Sequence, residues 1–395
     1  MQAPNKHYKS VKRLIHREGQ AGPFTGKYRF SPYMACGHGC RYCDGRHEGY
    51  YVEGDFERDI VIRENAPELL ARELPKLREY GPICLTSGVS DAYQPVEREE
   101  QLTRRCAEVL ARGRFPVTVH TKSDLVLRDI DLWEQVHRQA GFNLFVSLTW
   151  SDDSLRRLFE PHAASVEARL HVLGEFRRRG MNAGVLAMPF VPFVGDAEEQ
   201  IAALLDRLRE VGVAFAMPAL MTLKRGRQWT AFMETIDRVL PGLRVDFERL
   251  YADSEPYGEP GAAYARSFHG KVHRLLDERG LLAEIPHALY RGQFAVYDEV
   301  QILLGHMSQL YRRRGTDTGR LDQARCGYQR WLDERRAHYN RRRSLSFREL
   351  DHELAHLART GKLGELLGNA RLAEFVATVV LERRTFDYPT MAWVG

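Results

Sequence analysis

The chain has 395 residues, 44% apolar and 28% charged, an ordinary balance for a folded protein with a core of its own. No apolar run approaches the roughly 20 residues needed to cross a bilayer, and the polar, basic start MQAPNKHYKSVKRLIHREG lacks the apolar stretch of a secretory signal. No membrane association is therefore expected. The cytoplasm, where thiols stay reduced, is the expected home for its six cysteines.

In chain order, short β-like runs alternate with helical ones. Tyr28–Ser31, Ile83–Val89, Pro116–His120, Leu144–Thr149, Ala183–Met188 and Phe215–Met221 read as strands. Between them Pro67–Tyr80, Pro95–Arg112, Asp131–Gln139, Val166–Arg179 and Ala197–Val211 have helical spacing. Gly81, Gly113, Gly141, Gly180 and Gly212 close these helices, as a chain turning back into a strand requires. Repeated βαβ units mean a parallel sheet. Six fit before residue 240, which suits a (β/α) barrel or half-barrel, and no G-x-G-x-x-G follows the first strand. The turn-rich YADSEPYGEPG, Tyr251–Gly261, marks a boundary. Beyond about residue 265 only helices are expected, over Gly270–Gly280, Tyr297–Tyr311, Leu321–Arg335, Ser346–Arg359 and Arg371–Arg383.

Half of the cysteines fall in MACGHGCRYCDG, where Cys36, Cys40 and Cys43 stand at C-x3-C-x2-C after the first strand. A closed zinc site wants a fourth ligand, and His38 lies crowded between two of the thiols. A four-iron cluster held by three thiolates keeps one iron open for chemistry. The spacing favours the cluster over zinc, with three structural thiols a distant third.

These residues resemble the radical S-adenosylmethionine (SAM) superfamily, over about residues 25–240. Tyr42, the aromatic before the last cysteine, fits that pattern. TSGVSDAYQPVE (Thr86–Glu97), HTKSDLVLRDIDL (His120–Leu132), FVSLTW (Phe145–Trp150), LFEPHAAS (Leu158–Ser165) and MPFVPFVGD (Met188–Asp196) are most similar to the spore photoproduct lyase-like, DNA-repair-photolyase-related branch. The resemblance implies an α/β fold: a partial (β/α)6 TIM-type barrel over 25–250. A basic segment, 1–24, would precede it, and an all-helical extension, 251–395, would follow. It implies a 4Fe-4S cluster on Cys36, Cys40 and Cys43, S-adenosyl-L-methionine on the open iron, and reductive cleavage to a 5′-deoxyadenosyl radical. It also implies a low-potential donor, ferredoxin or flavodoxin. Ser90, Lys122 and Ser147 would meet SAM, Lys122 at its carboxylate and Ser147 at the ribose. Tyr42 and the backbone near Met188 and Val194 would flank the adenine. All lie near predicted strand ends, where barrel chemistry sits.

Two departures set the chain apart. The lyases place a hydrogen-donating cysteine where this chain aligns Gly88; Cys84, four residues upstream on the same face, lies about 13 Å deeper and reads as a core thiol. They also place a tyrosine after the third thiol, where this chain has Asp44. Both argue against thymine-dimer lyase activity as such. Asp44 and Arg46 read first as a local ion pair fixing the loop, or else as SAM contacts.

The C-terminal quarter holds the excess charge: residues 301–395 carry 17 Lys+Arg against 11 Asp+Glu, a net of +6, out of +5 for the whole chain. Arg312–Arg314 and Arg341–Arg343 fit a nucleic-acid contact or a solvated helix face. His352-Glu353-Leu354-Ala355-His356 matches H-E-x-x-H, but no third ligand is fixed, so an exposed charged helix is the favoured reading over a zinc peptidase. The expected function is a radical SAM enzyme acting on an unidentified, nucleic-acid-leaning substrate. The alternatives are radical modification of a protein, peptide or small molecule, and a non-catalytic metal- or nucleic-acid-binding protein. No catalytic residue beyond the cofactor ligands is assigned.

Overall fold

The computed structural model describes residues 3–18, 26–86, 89–254, 256–341, 347–388 and 390–394. Two compact units are present. The first comprises Met1–Glu18, Tyr28–Pro75 and Ile83–Ala283; the second comprises Gly19–Lys27, Lys76–Pro82 and Glu284–Gly395.

Among the described residues ten strands lie in the first unit: β1 (Asn5–Tyr8), β2 (His16–Arg17), β3 (Tyr28–Phe30), β4 (Tyr33–Met34), β5 (Asp59–Ile62), β6 (Ile83–Leu85), β7 (Val117–Thr121), β8 (Phe142–Ser147), β9 (Asn182–Phe190) and β10 (Ala216–Leu220). Seven form one open sheet in the order β10-β9-β8-β7-β6-β3-β2. From β3 to β10 every pairing is parallel, and only β2 joins antiparallel. All six strands expected from the sequence are present, and the barrel is not closed. The reason these segments are strands is burial on both faces: FNLFV on β8 is buried at five consecutive positions, as a helix-covered parallel sheet demands.

Helices Leu102–Ala111, Ile130–Gln139, Val166–Arg178 and Glu198–Val211 return the chain between strands. Ser165 caps the third of these, its Oγ accepting from Ala168 N at 3.1 Å. Gly212 ends the fourth at φ 73°, the left-handed turn that glycine supplies without strain. Helix Ala262–Glu278 also belongs to this unit, with Arg274 reaching Glu198 at 2.6 Å and Arg279 reaching Asp206 at 2.8 Å. A second, three-stranded sheet, β1-β5-β4, is built from strands of two to four residues, too short to announce themselves.

The second unit is dominated by helices Val296–Arg313, Gly319–Arg341, Phe347–Arg359, Lys362–Leu367 and Ala370–Val376, the last running into a π-helical stretch, Ala377–Leu381. A short antiparallel pair, β11 (Phe386–Asp387) and β12 (Ala392–Trp393), follows. Val300, Leu304, Tyr328, Leu332, Leu354 and Val380 form its core. Lys27 joins this unit through a buried ion cluster, at 2.6 Å from Glu79 and 2.5 Å from Asp298, which also accepts from Arg336.

Gly184 on β9 shows how tightly the sheet is covered: a Cβ there would lie 2.1 Å from the Phe215 ring. Gly184→Ala is expected to destabilise the chain by about 1–3 kcal/mol through overpacking. An unchanged urea midpoint would contradict that packing.

Candidate functional site

β4 and β5 close the base of the cysteine loop, pairing Tyr33 with Ile62 and Met34 with Val61. Cys36 N donates to Phe56 O at 3.1 Å just above that pair. Tight turns follow, with Gly39 N on Cys36 O and Cys43 N on Cys40 O, each at 3.3 Å. Gly39 has φ 67°, and a Cβ on it would meet Glu57 Oε2 at 2.7 Å, so both conformation and space require glycine. Gln94 clamps the loop from the side. Its Oε1 accepts from Gly37 N at 2.8 Å, and its Nε2 donates to Ala35 O at 3.1 Å and to Ser90 Oγ at 3.0 Å.

Two carboxylates then fasten the loop to the sheet. Asp91 receives His38 Nε2 at 3.1 Å from the loop, and Thr121 Oγ1 at 2.9 Å and Lys122 N at 2.8 Å from the end of β7. Burial works against this carboxylate, yet His38 and the backbone donors outweigh it and hold its pKa below the usual range. Glu160 lies deeper and accepts from the Tyr42 hydroxyl and the Arg169 guanidinium. Arg169 also donates to Ser147 O at 2.9 Å, so the end of β8 is held by the same group. Burial raises the Glu160 pKa, but Arg169 and Lys122 overcome it and keep the carboxylate ionised.

Above these anchors opens a cavity of about 380 Å³ at the C-terminal ends of the strands. Cys36, Cys40 and Cys43 line it together with Ser90, Lys122, Ser147, Met188 and Tyr42. Lys122 Nζ stands 5.9 Å from the Tyr42 ring centre, with its charge favoured by Cys40 and Glu160 against the cost of burial. Leu186, Pro189 and Leu220 give one wall an apolar surface. Val194 is not brought to this wall; it lies buried in a turn, its N donating to Val191 O at 3.2 Å.

Burial raises the pKa of all three thiols, that of Cys40 to about 12 even with Lys122 pulling the other way. Such thiols keep their protons until a soft cation displaces them, which is the chemistry of thiolate–iron ligation. Among the described residues no three His, Cys, Asp or Glu side chains converge as a single metal ion requires. Three thiols lining one chamber are the donor set that an iron–sulfur cluster takes. The residues present therefore fit a 4Fe-4S group.

Other expectations resolve differently. The Asp44–Arg46 pair does not form. Asp44 meets Lys224 Nζ at 2.8 Å and accepts from the Tyr50 hydroxyl. Arg46 turns away to Glu57 and donates to Cys40 O at 3.0 Å. Cys84 is buried on β6, off the cavity, as a core thiol should be. Gly88, Arg342 and Arg343 lie outside the described residues. In the H-E-x-x-H segment, Glu353 is taken by Arg335 and Tyr339, and His352 and His356 are exposed. Asp91, Gln94, Glu160 and Arg169 were missed as site residues, although Asp91, Gln94 and Glu160 lie inside the motifs quoted above. No local pattern marks a polar side chain that will be buried. Gln228 was missed too; fully buried, it donates to Tyr42 O at 3.0 Å and Thr222 O at 2.7 Å.

An open α/β barrel with a thiol-lined chamber at the C-terminal ends of its strands defines the class. The radical SAM superfamily model matches residues 30–237, so the chain belongs to that superfamily and is an enzyme. Its family implies a 4Fe-4S cluster and SAM. An uncharacterised protein of Mycobacterium tuberculosis is 26% identical over 282 residues, 70% of this chain and 82% of the relative. One from Methanocaldococcus jannaschii is 31% identical over 173 residues, 44% of this chain and 63% of its own length. Among solved structures, spore photoproduct lyase complexed with dinucleoside spore photoproduct has the same fold, with a TM-score of 0.50 at 13% identity, over 69% of this chain and 79% of that one. No helix among the described residues is long and apolar enough to cross a membrane.

His120 lines the cavity from β7, and burial lowers its pKa from 6.5 to about 4. The unfolded chain binds that proton first as pH falls. The stability tied to neutral His120 is thus complete above pH 6.5 and lost between 6.5 and about 4. At pH 4 the loss reaches roughly 3 kcal/mol. Urea denaturation across this window should show a flatter pH dependence for His120→Gln; equal slopes would reject the assignment.

Proposed function

We propose that the chain binds a 4Fe-4S cluster through Cys36, Cys40 and Cys43 and SAM in the adjoining chamber, and performs radical chemistry on a nucleic-acid substrate. The observation that carries this reading is the single cavity shared by the three thiols, Ser90, Lys122, Ser147 and Met188. When bound and reduced, the cluster supplies the electron that splits the sulfonium of SAM.

The chain's own residues supply position and charge. Lys122 offers a fixed cation for the SAM carboxylate, worth more in a half-buried chamber than in water. Gln94 holds the Ser90 hydroxyl, and Arg169 holds the backbone of Ser147, so both strand ends present their polar groups without reorganising. Leu186, Met188 and Pro189 offer a flat apolar wall to a purine. The nucleic-acid part of the reading is supported by the basic C-terminal quarter and by the shared fold with a lyase solved with a dinucleoside.

Reconstituted without oxygen, reduced and given SAM, the protein should release 5′-deoxyadenosine, and Cys40→Ala should release none. Lys122→Met should raise the KM for SAM by about 10- to 100-fold, the loss of one charge-assisted contact. A cluster-free preparation, or cleavage that survives Cys40→Ala, would defeat the reading. Binding to DNA or RNA should weaken steeply with salt; salt-independent binding would remove the nucleic-acid assignment.

A further inference from the structure

The main sheet is open, with β10 at one end and β3 and β2 at the other. Among the described residues no backbone ladder joins those ends. The chamber nevertheless takes its lining from both: the cysteine loop from one side, and Ala219, Leu220, Met221 and Thr222 from the other. Something besides the sheet has to fix the distance between these two walls.

The segment between β10 and helix Arg227–Val239 spans that gap, and fully buried Gln228 is its central contact. Gln228 Nε2 donates to Tyr42 O at 3.0 Å in the cysteine loop and to Thr222 O at 2.7 Å on the opposite wall. Its Oε1 accepts from Lys224 N at 2.9 Å. Both amide N–H groups are thus spent on carbonyls, one from each side of the gap. Three further contacts run alongside. Lys224 Nζ meets Asp44 at 2.8 Å, Arg227 N donates to Glu48 Oε1 at 2.8 Å, and Arg227 Nη1 donates to Val52 O at 2.8 Å. Gly226, at φ 99°, permits the close approach: a Cβ there would lie 2.4 Å from Glu48 Oε2.

Tyr42 stands between Cys40 and Cys43 and is held at both ends. Its hydroxyl donates to Glu160, and its carbonyl accepts from Gln228. The geometry points to Gln228 as a positioning residue for the cluster and SAM. It takes the place of the missing ladder and sets where the Cys40–Cys43 turn lies against the wall after β10. The inference rests on the cluster and SAM reading above. Gln228 does not line the chamber, so it acts through the Tyr42 peptide and the Thr222 carbonyl. Removing its donors strands two carbonyls and frees the loop to drift from that wall.

Two variants test this. Gln228→Met keeps the length of the side chain and removes its hydrogen bonds. Gln228→Glu keeps the acceptor for Lys224 N, and its buried carboxyl, beside two carbonyl oxygens, holds a proton and so retains one donor until the pH rises. In the cluster-free chain, Gln228→Met should speed amide exchange about tenfold at Cys43, Arg46 and His47, whose N–H groups close the turns of the loop, and leave the amides of β8 unchanged. In the reconstituted chain reduced with dithionite, its KM for SAM should rise about tenfold with a smaller change in kcat. The electron paramagnetic resonance signal of its reduced cluster should need correspondingly more SAM to change. Gln228→Glu should stay near the wild-type KM at about pH 6 and lose about tenfold against the wild type by about pH 9. An unchanged KM in Gln228→Met would overturn the proposal. So would exchange that quickens equally in β8, the mark of general loosening. If the wild type cleaves no SAM, it is the function reading that falls, and exchange in the cluster-free chain then decides by itself whether Gln228 positions the loop.

Discussion

The site depends on two buried carboxylates that join the cysteine loop to the sheet, and Asp91 makes the more contacts of the two. It takes a ring N–H from His38 in the loop, a hydroxyl from Thr121, and the backbone N–H groups of Lys122 and Tyr93. The donors come from the cysteine loop, from the end of β7 and from the segment after β6 that carries Asp91 itself. A buried carboxylate with four donors is inexpensive to keep charged, whereas one stripped of its donors would be costly. The loop is therefore held in place by the expense of leaving Asp91 unsatisfied.

Glu160 does the same work at the opposite side. Its partners Tyr42 and Arg169 come from the loop and from helix Val166–Arg178, and Arg169 extends the contact to β8. The geometry of Ser147 and Lys122 is thus set by groups that need never touch a ligand. Buried ion pairs of this kind add little net stability compared with apolar packing, but removing one partner leaves an uncompensated charge. That asymmetry suits a site in which a loop without regular secondary structure must hold three metal-binding thiols in fixed positions.

Much of this arrangement was legible in the sequence, for identifiable reasons. Six strands could be read because apolar runs and closing glycines recur with a strong local signal. Lys122, Ser90, Ser147 and Met188 could be placed because the motifs that carry them resemble the superfamily's, and strand ends in a parallel barrel share one face. The fastening groups could not be read, because their partners are remote: Tyr42 and Glu160 lie 118 residues apart, and Gln228 and Tyr42 lie 186 apart. The sheet of β1, β4 and β5 escaped for the opposite reason, being made of strands of two to four residues, too short for a pattern to register. The H-E-x-x-H match failed at the level of a single side chain, since a Glu353 committed to Arg335 is not available as a base.

Asp44 shows how far a local inference can go astray and still lead somewhere useful. Its charge suggested a pairing with Arg46 two residues on, but the short 3-10 turn Asp44–Arg46 sends the two side chains to opposite faces of the loop. Asp44 goes to the chamber, where Lys224 and Tyr50 hold it. Arg46 goes the other way, to Glu57 and the Cys40 carbonyl. The position after the third thiol contributes charge and shape to the chamber edge.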